Sequence, residues 1–426
     1  MKKGLIVILD GLGDRPSPDL DGQTPLEAAD TPFMDSLVSR GSCGLVDPLY
    51  PGVPVDTHTG CAALMGVAPE DQRRLARGSV EAAGIGLDVE PGDVVVRANF
   101  ATLGDDQVII DRRAGRISKG VESLCQSLEN LVIADSVLAS VFPASHHRAV
   151  LRLRGPNLSS AITDTDPGCG GDSRVQVSRA LDPADENAVN TAVILNEFSH
   201  RAQDILQQHP INQQRFSTGE PVANGMLFRG VGTVFHPRNL LTHLGLKTVV
   251  ITGERTLNGL GKLSGFDVIQ QAAYTGMPDT DLSGKFHAAQ QALEDNDLVY
   301  VHIKATDILS HNMDAPGKKV FLEKVDTAFS ILSDADCVIG IAADHSTDSN
   351  SGRHCGDPVP AVLWSSGSRV DGETAFGETA CIQGGLGRIS GNGFLLTALD
   401  HMGVLTNYHA FDSIFIGEGR SISPNS

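Results

Sequence analysis

The sequence predicts an α/β protein in which a doubly wound, mostly parallel sheet is interrupted by a smaller inserted α+β domain. Short apolar runs bounded by turn residues recur at 5–9, 248–252, 298–303, 337–342 and 361–364, as expected of strands buried on both faces. Helical stretches at 284–293 and 318–332 precede the third and fourth runs, and strand–helix alternation is the mark of a parallel sheet. Between about residues 85 and 225 the texture changes. Strands are predicted there at 94–97, 107–110 and 149–153, with helices at 121–130 and 187–208. The predicted division is therefore a core domain over 1–84 and 226–426 and an inserted domain over 85–225, with Gly-rich turns at 84–86 and near Gly225 as markers. The polar tail after Gly417 is expected to be disordered.

Composition narrows the function. The 426 residues carry 33 basic and 52 acidic side chains, a formal charge of −19, which repels nucleic acid and anionic membranes. An anionic substrate then requires a local concentration of Arg, Lys or metal ions. The opening Met1-Lys2-Lys3 followed by residues 4–9 is too short for a signal-peptide core and is interrupted by Asp10, so it reads as a first strand. Nothing approaches the roughly 18 apolar residues of a membrane span, and a soluble protein is expected. Seven scattered cysteines (43, 61, 125, 169, 337, 355 and 381), never in a Cys-x-x-Cys pair, suit a reducing cytoplasm.

Ligands of an open parallel sheet collect beyond the carboxyl ends of its strands. Asp10, Asp307 and Asp344 stand there. Asp307 and His311 are four apart and can share a helix face; His345 follows Asp344 directly, and His354 lies nine residues on. Such a mixed oxygen and imidazole set suits two zinc or manganese ions, and two adjacent metals can stabilise both the entering and the leaving oxygen of a displaced phosphoryl group. A single Asp after a strand is more commonly a cap or turn former; the case rests on the set. His302 and His243, with nothing acidic patterned around them, read as structural. Thr57 begins an apolar helical stretch after a Pro/Gly loop, where the helix dipole and a metal favour its alkoxide, although Asp56, Thr57 and Thr59 are all ordinary cap residues. Arg112, Arg113 and Arg116 place three guanidiniums in five residues, suited to phosphate or carboxylate or simply to a solvated surface. Arg97, Arg148 and Lys304 are further cations beside predicted strands.

The blocks 9–16 (Leu-Asp-Gly-Leu-Gly-Asp-Arg-Pro) and 24–29 (Thr-Pro-Leu-Glu-Ala-Ala), with 97–102, 111–116, Asp164-Thr165-Asp166-Pro167, 301–307 and 354–360, resemble the archaeal-type cofactor-independent phosphoglycerate mutases. The likeness runs through most of the chain. It implies an alkaline-phosphatase-like core with an inserted substrate domain and two divalent metals, manganese or zinc, with magnesium or cobalt also possible. One metal would be held by Asp10, Thr57, Asp344 and His345, the other by Asp307, His311 and His354. Thr57 would take the phosphoryl group from one hydroxyl of glycerate and return it to the other. Lys304 would assist, while Arg97, Arg112, Arg113, Arg116, Arg148, Asp164 and Asp166 would bind the small phosphorylated metabolite as the inserted domain closes.

The chain departs from the family pattern in two places. Thr57, His58 and Cys61 stand where the family has a serine, an acidic residue and a histidine, and Ile308-Leu309-Ser310 follow Asp307 without the family's acidic residue. The expected activity is interconversion of 3- and 2-phosphoglycerate independent of 2,3-bisphosphoglycerate. The alternatives are a phosphatase or homoserine-kinase-like phosphotransferase, and an inactive binding protein on the same scaffold. The sequence leaves the oligomeric state open.

Overall fold

The structure is a computed structural model that describes residues 1–134, 136–168 and 174–405; Cys169 and the tail after Gly417 lie outside the described residues. The chain forms two compact units, Met1–Arg73 together with the chain from His236 onward, and Arg74–Phe235. The second unit is wider than the sequence markers suggested. The helix Arg77–Gly84 packs on the strand Val94–Leu103 and the strand Gly225–Gly232 pairs with it, so both belong with the inserted segment rather than with the core.

The first unit is built on an eight-stranded sheet in the order Asp267–Ile269, Thr248–Ile251, Leu298–Ile303, Lys3–Leu9, Cys337–Ala342, Val359–Trp364, Ser42–Asp47, Gly387–Ser390. The first five strands run parallel. Val359–Trp364 is antiparallel to both neighbours, and Gly387–Ser390 is parallel to Ser42–Asp47. Three of these strands escaped the sequence reading. Asp267–Ile269 and Gly387–Ser390 are the edges, short and partly exposed, so they lack the continuous apolar run of a strand covered on both faces. Ser42–Asp47 begins and ends on polar residues and contains a glycine.

The helices form two layers. Arg255–Leu263 and Gly391–His401 both pack against Thr57–Leu64, whereas Leu282–Asp295 and Pro32–Arg40 pack against Ala315–Phe329. Phe33 and Phe286 anchor the second layer, their ring centroids 4.9 and 4.8 Å from that of Phe329. With both faces covered, the central strands are fully buried, which is why they are so apolar. Because they are parallel, Leu9, Ile303 and Ala342 bring their following residues to one edge of the sheet.

The second unit is an antiparallel sheet. Val94–Leu103 pairs with Arg148–Arg154, Ile109–Asp111 and Gly225–Gly232, and Val137–Pro143 and Leu131–Ala134 extend the order beyond Arg148–Arg154. The helix Glu186–Gln208, capped by the Asp185 side chain, buries Ala188, Leu195, Phe198 and Leu206 against a core that contains Val94, Val96, Ala98 and Phe100. Alternation along the strand sends Val95 to the opposite face, where it meets Ala82 and Val150. The helix predicted over 121–130 ends at Gln126, and the strand predicted over 107–110 is a 3-10 turn followed by Ile109–Asp111. Among the described residues no helix is long and apolar enough to cross a membrane.

Candidate active site

Two backbone approaches assemble the site in the first unit. Gly11, directly after Asp10, has φ +63°, and a Cβ there would stand 2.7 Å from Thr347 Oγ1 and 2.9 Å from Asp307. Gly60 sits one turn into the helix Thr57–Leu64, where a Cβ would fall 1.8 Å from the carbonyl oxygen of Asp344. A side chain at either position would push apart segments that must touch. The helix can therefore lie directly on the Asp344 backbone, with Thr57 in its first turn.

Asp10, Asp307 and Asp344 are almost completely buried and form two groups whose ligand atoms converge: Asp10, Asp344 and His345, and Asp307, His311 and His354. His345 Nε2 is 3.4 Å from Asp10 Oδ1 and 3.2 Å from Asp344 Oδ2. In the second group His311 Nε2 is 3.3 Å from Asp307 Oδ2, and His354 Nε2 is 3.6 Å from Asp307 Oδ1. Thr57 Oγ1 lies 3.4 Å from His345 Nε2.

Hydrogen bonds on the far side of each imidazole fix its tautomer. His311 Nδ1 donates to the Gly352 carbonyl at 2.8 Å and His354 Nδ1 to the Val55 carbonyl at 2.7 Å, since a carbonyl can only accept. Thr347 donates its hydroxyl to Asp307 Oδ1 at 2.9 Å, so it accepts from His345 Nδ1 at 3.0 Å. All three Nε2 lone pairs thus face carboxylate oxygens. Each such contact calls for a proton or a metal cation between the two atoms.

Among the described residues, Lys304 is the one ammonium within this set. Its Nζ donates to Asp10 Oδ1 at 2.9 Å and Thr57 Oγ1 at 3.0 Å, and lies 2.7 Å from Asp307 Oδ2. Burial alone would lower its pKa, but Asp10 and Asp307 outweigh burial and raise it. Burial likewise pushes Asp10 and Asp307 upward, and Lys304 with the neighbouring imidazoles brings both below the usual carboxylate range. Asp344 goes the other way, held well above that range by burial and by the Asp10 charge. Its Oδ2 is buried without a hydrogen-bond partner. One ammonium does not balance three buried carboxylates, and the orphaned oxygen, the aligned lone pairs and the Asp/His donor set fit divalent cations.

His302, read from the sequence as structural, belongs to this arrangement. Its Nε2 donates to Asp10 Oδ2 at 2.9 Å, while Nδ1 lies 3.1 Å from Thr252 Oγ1. The available signal was a lone polar residue inside a fully buried strand. What could not be read was the parallel register that sets Ile8 beside His302 and so brings Asp10 within reach. His243 lies at the end of the short helix Leu240–His243, outside both ligand groups.

The expected substrate residues fall in the second unit, where alternation puts Arg97 on the face opposite the main core. Arg97 is paired across the sheet with Arg229, and Arg148 begins the adjacent strand. Glu81, on the helix Arg77–Gly84, is 3.2 Å from Arg97 Nε and 3.5 Å from Arg77 Nε. Burial brings the Arg97 guanidinium down to about 9, with Glu81 opposing the fall and Arg77, Arg148 and Arg229 adding to it. Its Nη1 is buried without a partner. Burial, then Arg148, Arg113 and Arg97, bring His147 down to about 3. This concentration of positive charge in an acidic chain is of a kind that suits an anion. Arg77, His147 and Arg229 were missed in the sequence, because Arg229 lies on an unpredicted strand and the pairing that aligns it was invisible. Arg112 instead pairs with Asp166, and Arg113 and Arg116 are exposed. Asp164, shifted upward by burial, accepts from the Gly230 amide at 2.8 Å.

A model of the family described as 2,3-bisphosphoglycerate-independent phosphoglycerate mutase matches residues 38–212. A protein of that name from Methanothermobacter thermautotrophicus is 40% identical over 403 residues, covering 94% of this chain and 98% of its own length. Another from Methanopyrus kandleri is 40% identical over 401 residues, covering 92% and 94%. Among solved structures, the PH0037 protein from Pyrococcus horikoshii superposes with a TM-score of 0.80 at 32% identity, covering 95% of this chain and 98% of its own. The cofactor-independent phosphoglycerate mutase from Thermoplasma acidophilum gives 0.66 at 32%, covering 94% and 99%. With identity sustained at this level across nearly its whole length, the chain belongs to the family of 2,3-bisphosphoglycerate-independent phosphoglycerate mutases.

Proposed function

We propose that this protein interconverts 3- and 2-phosphoglycerate without 2,3-bisphosphoglycerate, through a phosphothreonine at Thr57. The observation that carries the reading is the position of the Thr57 hydroxyl, 3.0 Å from the Lys304 ammonium and 3.4 Å from His345 Nε2, beside two converging ligand groups. Family membership supports the substrate pair. The Asp and His donors suit manganese or zinc, one ion on Asp10, Asp344, His345 and Thr57 and the other on Asp307, His311 and His354. Bound there, the two ions supply positive charge to the entering and leaving oxygens of an in-line phosphoryl displacement.

The chain's own residues carry the remaining steps. Thr57 Oγ1 attacks phosphorus while the bond to the C3 oxygen of glycerate breaks; the threonine proton leaves and the C3 oxygen gains one. The C2 hydroxyl then attacks the phosphothreonine, losing its proton as Thr57 regains one. Lys304 donates to Thr57 Oγ1, and its charge opposes the negative charge that builds on the transferring group. Arg97, Arg148, Arg113 and Arg116 are the cations we assign to holding the glycerate anion, and that retention is required between the two transfers. Retention matters because water would otherwise take the phosphoryl group and turn the mutase into a phosphatase. The described cysteines are all buried free thiols, which supports placement in a reducing cytoplasm.

The test is to supply the metal-loaded protein with 3-phosphoglycerate, without 2,3-bisphosphoglycerate, and to follow 2-phosphoglycerate and free phosphate separately. Isomerisation well in excess of phosphate release is expected. Release of phosphate from many monoesters, with no isomerisation, would replace the mutase reading with a phosphatase.

A further inference from the structure

Asp14 is not a metal-ligand candidate, yet its side chain joins the segments that carry the candidates. Its carboxylate is completely buried against the equally buried Lys318, whose Nζ donates to Asp14 Oδ2 and to the Gly11 carbonyl, each at 2.8 Å. The Ser349 amide donates to Asp14 Oδ1 at 2.8 Å and its hydroxyl to Oδ2. Ser349 Oγ also lies 3.2 Å from Ser310 Oγ. With the Arg15 amide on Oδ1 at 2.8 Å, the acceptor positions of the carboxylate are filled.

These contacts converge on the metal-ligand segments. Asp10 lies four residues before Asp14 on the same loop, Ser310 sits between Asp307 and His311, and Ser349 falls between His345 and His354. Lys318 belongs to the helix Ala315–Phe329, a rigid element that packs on the helix bearing Asp307. A buried ion pair is a poor way to stabilise a fold compared with apolar side chains of the same size. One whose lone pairs are all satisfied holds its surroundings in a single geometry.

We infer that the buried Asp14–Lys318 pair, extended through Ser349 to Ser310, is a positioning element that sets the separation of the two metal-binding groups. It rests on the two-metal reading above. The neighbouring groups Asp10, Asp307, Asp344 and the three histidines bind the cations; Asp14 and Lys318 touch none of the reacting atoms and act through the loops they tie together.

The test is a manganese titration of the full-length metal-free protein, with bound metal counted and the electron paramagnetic resonance spectrum recorded. Wild type should take two ions and show the exchange-coupled spectrum of an adjacent pair. Asp14→Asn and Ser349→Ala, each checked for cooperative unfolding, should bind manganese about 10–100-fold more weakly and lose or shift the coupled signal. Should Asp14→Asn not fold, Ser349→Ala, which leaves both charges in place, carries the test alone. The double variant Asp14→Asn/Lys318→Met separates positioning from charge balance, and it should stay weak. Recovery of wild-type affinity and coupling in the double variant would overturn the inference. So would unchanged affinity and coupling in folded Ser349→Ala. A wild type with no coupled pair would overturn the two-metal reading itself.

Discussion

Lys304 Nζ donates a hydrogen bond to Thr57 Oγ1 at 3.0 Å while also contacting Asp10 and Asp307, one carboxylate from each ligand group. Thr57, the proposed nucleophile, is therefore attached to both groups through a single ammonium. Thr57→Ala should reduce isomerisation by about 10⁴-fold or more, with Asp344→Asn similarly severe and the double variant little worse, because such residues act as a unit. Thr57→Ser should retain measurable turnover. Rapid-quench labelling with phosphoglycerate checks the same point, since label should appear on Thr57 in wild type and be absent from Thr57→Ala. Near-normal activity of Thr57→Ala would move the role to Thr59 or to water.

Metal removal gives an independent check. Dialysis against a chelator should abolish turnover, and restoration should require two equivalents of manganese or zinc per chain. Anomalous scattering should place them between Asp10, Asp344 and His345 and between Asp307, His311 and His354.

His302 presents Asp10 through a hydrogen bond of 2.9 Å, so its loss should be felt as weakened metal binding. His302→Phe should lower metal affinity about 10–100-fold, and calorimetric titration reads this directly. An unchanged affinity would return His302 to a packing role.

In the second unit, Arg97→Met should lower kcat/KM for phosphoglycerate by about 10–100-fold, the usual worth of a hydrogen bond to a charged group. Replacing Arg112, Arg113 and Arg116 should raise the ratio of phosphate release to isomerisation. An unaltered ratio would make these three arginines surface charge.

Glu378 predicts a pH dependence of stability. Burial raises its carboxyl from 4.5 to about 7, only partly opposed by the Thr24 hydroxyl and by Lys318. The folded protein then binds this proton more tightly than the unfolded chain, so the contribution to stability is fully present below about 4.5 and is lost as the pH rises through about 7. The difference in unfolding free energy between wild type and Glu378→Gln should shift against wild type across that window and level off above it. A pH-independent difference would rule Glu378 out as the titrating group.

Much of this was legible in the sequence. A strand covered on both faces has to be apolar throughout, so the central strands announced themselves, and the polar residues just beyond them, Asp10, Asp307 and Asp344, stood out by contrast. Asp307 and His311 could be matched because helical spacing is local. What tertiary structure alone decided was everything that depends on pairing between distant segments. Register put His302 beside Asp10 and Arg97 opposite Arg229, and the meeting of two loops and a helix buried Asp14 against Lys318. Edge strands such as Gly387–Ser390 left no apolar trace because their side chains stay largely exposed. Local composition records how deeply a segment is buried. It does not record which other segment lies against it, and that choice set His302 against Asp10 and Lys318 against Asp14.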